Sequence, residues 1–185
     1  MNTKVIFIAG VPASGKTTLF KRIREHFFGS FQEFKDGKVR GIEQGDYKML
    51  GVFDGSTFEG TDRLSMTVID DAINYIKKQD VKPGKKVIFI EGDRLFNFRF
   101  LQETKATLII LDAAPHVLRQ RHTERGDNQN QQFLRSRRSK IENFAKKHGI
   151  KRVFNNTPGD AQKILQFVIN IAEQWTTKST SDEPK

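Results

Sequence analysis

Hydrophobic residues along the chain form two kinds of pattern. In the first, apolar and β-branched residues follow one another without interruption, which is typical of strands buried on both faces of a sheet. Such runs occupy residues 3–9, 86–90, 107–111 and 152–154. Two further short strands are predicted within residues 39–54, on either side of a turn formed by Gly45 and Asp46.

In the second pattern, apolar residues recur three or four positions apart, which predicts amphipathic helices between the strands. These segments start near Gly15, Leu64, Pro115, Phe133 and Ala161. Because strands alternate with helices, we expect an α/β fold with a mainly parallel, five-stranded sheet flanked by helices. Residues 1–175 are predicted to form one domain, and the polar residues 176–185 a disordered tail.

Composition excludes several classes of protein. The 185 residues include no cysteine, which excludes thiol nucleophiles and cysteine-ligated zinc. The apolar runs are about half as long as the ~20 residues that a membrane-spanning helix needs, so we expect no membrane partner. The first residues lack the features of an export signal, and we therefore expect a cytoplasmic protein.

Positive charge is concentrated in one part of the chain. Lys and Arg number 32 against 22 Asp and Glu, which gives a net charge of +10. Residues 116–152 contain 11 basic and three acidic residues, and therefore carry +8 of that charge. This clustering favours a phosphorylated or polyanionic partner over an evenly spread solubilising surface. Phe96, Phe98 and Phe100 alternate with polar residues and are expected in the core, with stacking on a base as the alternative.

A phosphate-binding motif follows the first strand. The pattern G-x-x-x-x-G-K-[ST] is met in full by Gly10, Val11, Pro12, Ala13, Ser14, Gly15, Lys16 and Thr17. Glycines let successive backbone N–H groups face phosphate oxygens, and the start of the next helix, which includes Thr18, adds partial positive charge. Lys16 is predicted to reach the β- and γ-phosphates, and Thr17 to ligate Mg²⁺. The motif therefore predicts binding of a nucleoside triphosphate, which we take to be ATP, with Mg²⁺.

Two carboxylates, Glu91 and Asp93, follow the strand at 86–90. A phosphotransferase needs acidic groups to hold Mg²⁺ and to orient the acceptor hydroxyl, and these two are expected at the carboxyl edge of the sheet. The short chain, the phosphate loop and the arginine pattern resemble kinases of the nucleoside-monophosphate kinase type, and Asp93-Arg94 is similar to the Asp-Arg pair of thymidylate kinases. That resemblance implies that Asp93 approaches the acceptor and that Arg94 holds substrate phosphate.

Arginines dominate the helices predicted within residues 116–148. Arg121 and Arg125 are four residues apart, so they share a helix face and repel each other unless an anion lies between them. Arg137 and Arg138 lie at or beside the apolar stripe of the following helix, where a partly buried guanidinium needs a partner, and either of them could neutralise the transition state. This region is similar to the lid of nucleotide kinases, and the resemblance implies that these arginines bind phosphate and that Asn156 lies in the loop near adenine.

Asp46 is a further candidate base. The segment Gly45-Asp46-Tyr47-Lys48 is similar to the Asp-Asp-Tyr-Arg segment of polynucleotide-type P-loop kinases, in which the first aspartate activates the acceptor hydroxyl. Glycine replaces that first aspartate here, which makes Asp46 a weaker candidate base, with Asp54 and Asp62 as the next alternatives.

Residues 54–65, together with the phosphate loop and residues 91–94, resemble the phage 5-hydroxymethyluracil DNA kinases. This resemblance implies transfer of the ATP γ-phosphate to the 5-hydroxymethyl group of a pyrimidine in DNA, with Asp62, Arg63 and Arg94 addressing the acceptor. A phage-encoded enzyme of this kind would act in the host cytoplasm.

Two other functions stay open from the sequence. A kinase for free nucleoside monophosphates or small metabolites would use the basic segment as an enlarged lid. A nucleic-acid-binding ATPase would instead hydrolyse ATP without transferring phosphate to an acceptor hydroxyl.

Overall fold

A computed structural model of the protein describes residues 1–55, 59–124, 126 and 130–177. Within these residues one sheet contains β1 (Thr3–Gly10), β2 (Gln32–Asp36), β3 (Val39–Gln44), β4 (Tyr47–Leu50), β5 (Lys86–Glu91), β6 (Thr107–Asp112) and β7 (Arg152–Phe154). The helices are α1 (Lys16–Phe27), α2 (Ile69–Asp80), α3 (Phe98–Glu103), α4 (Pro115–Glu124), α5 (Gln131–Lys147) and α6 (Pro158–Thr177). The alternation of strands and helices confirms the predicted α/β fold.

The strand order in the sheet is β2-β3-β4-β5-β1-β6-β7. The strands β4, β5, β1, β6 and β7 run parallel, whereas β3 pairs antiparallel with β4 and β2 pairs antiparallel with β3. The predicted count of five strands is therefore wrong, because the described sheet has seven. The side chains of β2 are mostly exposed, so this strand has no hydrophobic run to mark it in the sequence. The hairpin predicted around Gly45 and Asp46 is confirmed by the pairing of Gln44 with Tyr47.

Helices cover both faces of the sheet. Successive side chains of β1 point to opposite faces, so Phe7 joins one apolar cluster while Ile6 and Ile8 join the other. The first cluster includes residues of α2, α3, α4 and α5, and the second includes residues of α1 and α6. Burial on both faces explains why β1, β5 and β6 are nearly continuous apolar runs.

Two helices differ from the prediction. The sequence pattern did not predict α3, which begins after Asn97, whose side chain caps the helix by accepting a hydrogen bond from the Arg99 N–H at 2.8 Å. The last helix, α6, continues to Thr177, two residues into the predicted tail, and residues 178–185 lie outside the described part of the chain. Among the described helices, none combines the length and the apolar composition needed to cross a membrane.

Candidate active site

The phosphate loop, residues 10–15, connects β1 to α1 at the carboxyl edge of the sheet. Gly10 and Gly15 have φ angles of 156° and 95°. A Cβ on Gly10 would lie 2.3 Å from the Leu111 carbonyl oxygen, and one on Gly15 would lie 2.4 Å from Asn155 Nδ2. Both positions therefore require glycine, because neighbouring segments fill the space that a side chain would occupy.

The loop after β7 packs against the phosphate loop and forms a hydrogen bond to it. The buried Asn155 side chain donates from Nδ2 to the Ser14 carbonyl oxygen at 2.9 Å. The sequence pointed to Asn156, whose Oδ1 instead accepts a hydrogen bond from the Ala114 N–H at 2.7 Å and so joins the loops after β6 and β7. Asn155 is thus a positioning residue that sequence reasoning missed, although its neighbour in the same loop had been singled out.

Lys16 and the first turn of α1 complete the phosphate-binding end of the loop. Lys16 Nζ donates to the carbonyl oxygens of Gly10 and Val11, at 2.9 and 3.1 Å. The N-terminus of α1 has no side-chain cap, so the N–H groups of its first turn, including those of Thr17 and Thr18, point out of the helix end. Backbone N–H groups and an ammonium group therefore converge on one concave loop, which is the arrangement that binds phosphate.

Glu91 ends β5, the strand next to β1, and its side chain is buried. Among the described residues, its Oε2 has no hydrogen-bond partner. Burial raises the pKa of Glu91 to about 7; the positive charge of Lys16 opposes this rise, while the charges of Asp62 and Asp93 add to it. A buried carboxylate oxygen in this position fits a divalent cation held between the protein and a phosphate group.

A cavity of about 320 Å³ opens beside Glu91 and is also lined by Thr17, Phe20, Arg24, Phe53 and Glu59. Thr17 and Glu91, two of the three Mg²⁺ ligands that the sequence predicts, therefore face one space, whereas the third, Asp93, is not among the residues that line it. No group of three histidines or carboxylates in the described residues is placed to hold a metal alone. Mg²⁺ commonly needs only one or two protein carboxylates, because substrate phosphates and water supply the other oxygen ligands, and this donor set fits that requirement.

Asp93 lies two residues beyond β5 and faces the helices of the lid. It forms an ion pair with Arg137 of α5, with 2.8 Å between Asp93 Oδ2 and the guanidinium nitrogen. The backbone N–H groups of Asp93 and Arg94 both donate to Asp62 Oδ1, at 3.0 and 3.1 Å. The side chain of Asp62 therefore fixes the backbone that carries Asp93, and the site brings Asp93 and Arg137 into contact.

The three residues that the sequence assigns to the acceptor have hydrogen-bond or ion-pair partners within the protein. The Arg94 guanidinium donates to the Asp62 carbonyl oxygen at 2.7 Å. Arg63 forms an ion pair with Asp54 at 2.6 Å. In this structure Asp62 and Arg94 position the loop around Asp93, and contact of any of the three with an acceptor stays a prediction.

The segment predicted to be a lid contains α4 and α5. Arg121 of α4 donates to the Ala13 carbonyl oxygen at 3.2 Å, so its guanidinium lies against the phosphate loop. Arg125, also expected to bind phosphate, lies outside the described residues. A cavity of about 780 Å³ separates the lid from the phosphate loop. Its lining includes Val11, Pro12, Arg119, His122, Arg135 and Arg138.

Asp46 lies at the opposite edge of the sheet. Its carbonyl oxygen accepts a hydrogen bond from the Val87 N–H at 2.9 Å. Val87 pairs with Tyr47 on one side and with Lys4 on the other. Lys4 precedes Gly10 by six residues, which is about 20 Å along a strand. The structure therefore does not bring Asp46 to the phosphate loop, because parallel strands that start together keep their amino ends at one edge.

The chain was compared with known proteins. A family model described as an AAA domain matches residues 6–145. No curated protein matches the chain. Among solved structures, a deoxyadenosine kinase from M. mycoides, with the products dCMP and a flexible dCDP bound, is similar over 92% of this chain and 98% of its own, at 12% sequence identity and a TM-score of 0.41.

Proposed function

This chain belongs to the AAA domain family, and we propose that it is an ATP-dependent phosphotransferase, a P-loop kinase that phosphorylates a hydroxyl group. One observation carries the proposal. The phosphate loop, with Lys16 and Thr17, lies beside the buried Glu91, whose Oε2 has no hydrogen-bond partner among the described residues. The more exposed Asp93 lies two residues away. Two carboxylates with such different surroundings suit two different tasks in phosphoryl transfer, one at the metal and one at the acceptor.

The ATP phosphates fit the phosphate loop. Backbone N–H groups of residues 10–17 would bind their oxygens, and Lys16 Nζ would leave the carbonyl oxygens of Gly10 and Val11 for the β- and γ-phosphates. Thr17 Oγ1 and Glu91 would hold Mg²⁺, which neutralises the charge that develops on the phosphates. Binding of the cation favours the ionised carboxylate, so it also lowers the pKa of Glu91 from its raised value.

Asp93 is the proposed base. The acceptor oxygen forms a bond to the γ-phosphorus, the bond between that phosphorus and the β–γ bridging oxygen breaks, and Asp93 takes the hydroxyl proton. Arg137 holds the Asp93 carboxylate in the present structure, and Arg121 lies at the phosphate loop. When substrates bind, these guanidiniums would stabilise the charge on the transferring group, as arginines do in other phosphotransferases.

For the acceptor, we propose the 5-hydroxymethyl group of 5-hydroxymethyluracil in DNA. The support is the resemblance of residues 54–65 and 91–94 to the phage enzymes that phosphorylate this group, together with the +8 charge of residues 116–152. A polyanionic substrate accounts for that charge better than a free mononucleotide does. The base would leave the duplex or come from a single strand, because the reacting hydroxyl must reach Asp93.

The test is transfer of label from γ-³²P-ATP in the presence of Mg²⁺. We would compare 5-hydroxymethyluracil DNA, unmodified DNA and free deoxynucleoside monophosphates, and locate the label by nuclease digestion. Label on the hydroxymethyl group of modified DNA alone supports the whole proposal. Lys16→Ala should abolish transfer with the fold intact, whereas Lys163→Ala, a matched change of an exposed lysine on α6, should not.

Two results would contradict parts of the proposal. Label only on free mononucleotides would support the kinase assignment and contradict the proposal that DNA is the acceptor. Release of inorganic phosphate without any labelled acceptor would contradict the kinase assignment and indicate an ATPase instead. The Lys16→Ala variant distinguishes either activity from a contaminant, because both depend on the same phosphate loop.

A further inference from the structure

We propose that one face of α5 and the adjoining end of α3 bind single-stranded nucleic acid. This surface, the α5 stripe, consists of Phe133, Arg137, Lys140, Phe144 and His148 on α5 and at its C-terminus, together with Phe98 of α3. Nothing in the family match or in the proposed chemistry assigns a role to its aromatic residues.

Sequence spacing places the α5 residues on one helix face. They are separated by four, three, four and four positions, and residues at such intervals are neighbours on a helix surface. The stripe is about 22 Å long, because each of its 15 steps rises about 1.5 Å. Two basic side chains, Arg137 and Lys140, lie between the aromatic rings of Phe133 and Phe144.

Several of these side chains contact aromatic rings, either within the stripe or at the buried Phe96 beside it. The Arg137 guanidinium lies over the Phe133 ring, 5.0 Å from its centroid, and Lys140 Nζ lies 5.4 Å from the centroid of Phe96. At the other end, Phe98 and His148 stack with 4.6 Å between centroids and 14° between ring planes. The Phe98 and His148 rings are therefore stacked before any ligand arrives, which lowers the entropic cost of ordering them on binding.

Two of the rings are open to solvent. Phe133 is 45% exposed and Phe98 is 50% exposed. Within the described part of the chain, Lys140 has no carboxylate partner. The helix carries six basic residues and one acidic residue, a net charge of +5. Exposed aromatic rings beside a helix of net positive charge suit a partner that offers both flat rings and negative charge, and single-stranded nucleic acid offers one base and one phosphate per nucleotide.

The α5 stripe lies next to Asp93, the proposed base. Arg137 belongs to the stripe and also forms the ion pair with Asp93, so a strand lying along α5 would run past the carboxylate that accepts the hydroxyl proton. This step alone rests on the proposed function, since binding of a strand to the stripe needs neither ATP nor a modified base. A duplex is disfavoured because its base faces are stacked on each other and cannot reach the rings.

The experiment measures binding of a short fluorescent oligothymidine by anisotropy, without ATP. Phe98→Ala and Phe133→Ala should each weaken binding by at least about fivefold, the lower range for removing one aromatic ring from a base-stacking site. Lys140→Gln should reduce the slope of log affinity against log salt by about one. The matched controls are Phe167→Ala and Lys163→Gln, which change exposed residues of α6 on the other face of the sheet and should bind normally.

Other outcomes would overturn the inference. It fails if the two Phe→Ala variants bind like the wild-type protein, if a duplex of the same length binds equally well, or if only an acidic polypeptide competes for the stripe. These results are separate from the kinase test. If the protein transfers phosphate and the Phe→Ala variants bind the strand normally, the proposed function stands and the binding role of the α5 stripe is rejected. If the variants lose strand binding and the protein transfers no phosphate, the binding role stands and the proposed function is rejected.

Discussion

Two buried carboxylates end the strands on either side of β1, and their surroundings differ. Asp112 ends β6, and both of its oxygens are occupied: Oδ2 pairs with Arg152 at 2.6 Å, and Oδ1 accepts the Ala113 N–H at 2.8 Å. Glu91 ends β5 and is similarly buried, yet Oε2 finds no partner among the described residues and its pKa is raised to about 7.

Both carboxylates are buried at the ends of neighbouring strands, so burial and position do not distinguish them. Their hydrogen-bond and ion-pair partners do, and these identify Asp112 as a structural acid and Glu91 as a candidate functional one. A buried carboxylate that is fully paired offsets its desolvation and fixes its neighbours, as Asp112 does for the start of the loop after β6. A buried carboxylate without a partner costs stability, and such a cost is typical of groups reserved for a ligand or a reaction. Four predictions test this comparison.

Glu91→Gln should have the largest effect, on activity. It keeps the shape of the side chain and removes the charge at the proposed Mg²⁺ site, so we expect about a thousandfold loss of phosphoryl transfer, the upper range for removing one electrostatic group at a reacting centre. Labelled transfer measures the loss, and urea unfolding should show that stability is kept. Asp112→Asn is the matched control and should retain most of the activity. Near-normal transfer by Glu91→Gln would remove Glu91 from the mechanism.

The pH dependence of stability should separate the two acids next. The pKa of Glu91 in the folded protein, about 7, lies above the ordinary 4.5, so between these values the folded state holds a proton that the unfolded chain has lost. Its contribution to the free energy of unfolding is full below about pH 4.5 and falls by about 3 kcal/mol at most as pH rises through about 7. Urea unfolding across this range should show less of a fall in Glu91→Gln. An identical fall in both proteins would contradict the raised pKa.

Asp112→Asn should act on stability rather than on chemistry. It removes the charge of the buried partner of Arg152. We expect a loss of about 2 kcal/mol, less than for a fully buried pair, because Arg152 is partly exposed and also pairs with Glu142 at 3.0 Å. Urea midpoints of this variant and of Glu91→Gln, both taken at one pH above 7, give the comparison directly. If Asp112→Asn proved as stable as the wild-type protein, the pairing would not explain why this acid differs from Glu91.

Arg137→Gln should have the smallest effect on stability. Its ion pair with Asp93 is partly exposed, so we expect a change below about 1 kcal/mol in the free energy of unfolding. Transfer should fall about tenfold or more, because Asp93 loses its positioning partner and the transition state loses a positive charge. Arg99→Gln, which removes exposed ion pairs on α3, is the control and should leave transfer unchanged. Equal activities of the two variants would place Arg137 outside the site.

The hydrophobic pattern predicted the strands that are buried on both faces and the helices that have a clear apolar face. The runs at 86–90 and 107–111 became β5 and β6, and the apolar spacing after Gly15 became α1. The hydrophobic pattern predicted neither β2 nor α3. The side chains of β2 are mostly exposed, and α3 has six residues, too few for a helical period to be recognised.

The site was predicted in part. The phosphate motif and the carboxylates after β5 are local features, and the structure places them at one edge of the sheet because parallel strands end together there. Asp46 was suggested by a local resemblance, but its strand enters the sheet with this residue at the other edge. Asn155 was missed because its contact with Ser14 joins positions 141 residues apart, which no local pattern reveals.

The sequence by itself determined the phosphate loop, the alternation of strands and helices, and the clustering of positive charge, since each depends on residues close together in the chain. Only the tertiary structure decided that, among the described residues, Glu91 Oε2 has no hydrogen-bond partner while both oxygens of Asp112 are occupied. The two acids follow similar apolar runs, Val87 to Ile90 and Leu108 to Leu111. What distinguishes them is Arg152, which lies 40 residues beyond Asp112 and reaches it only because β7 pairs with β6.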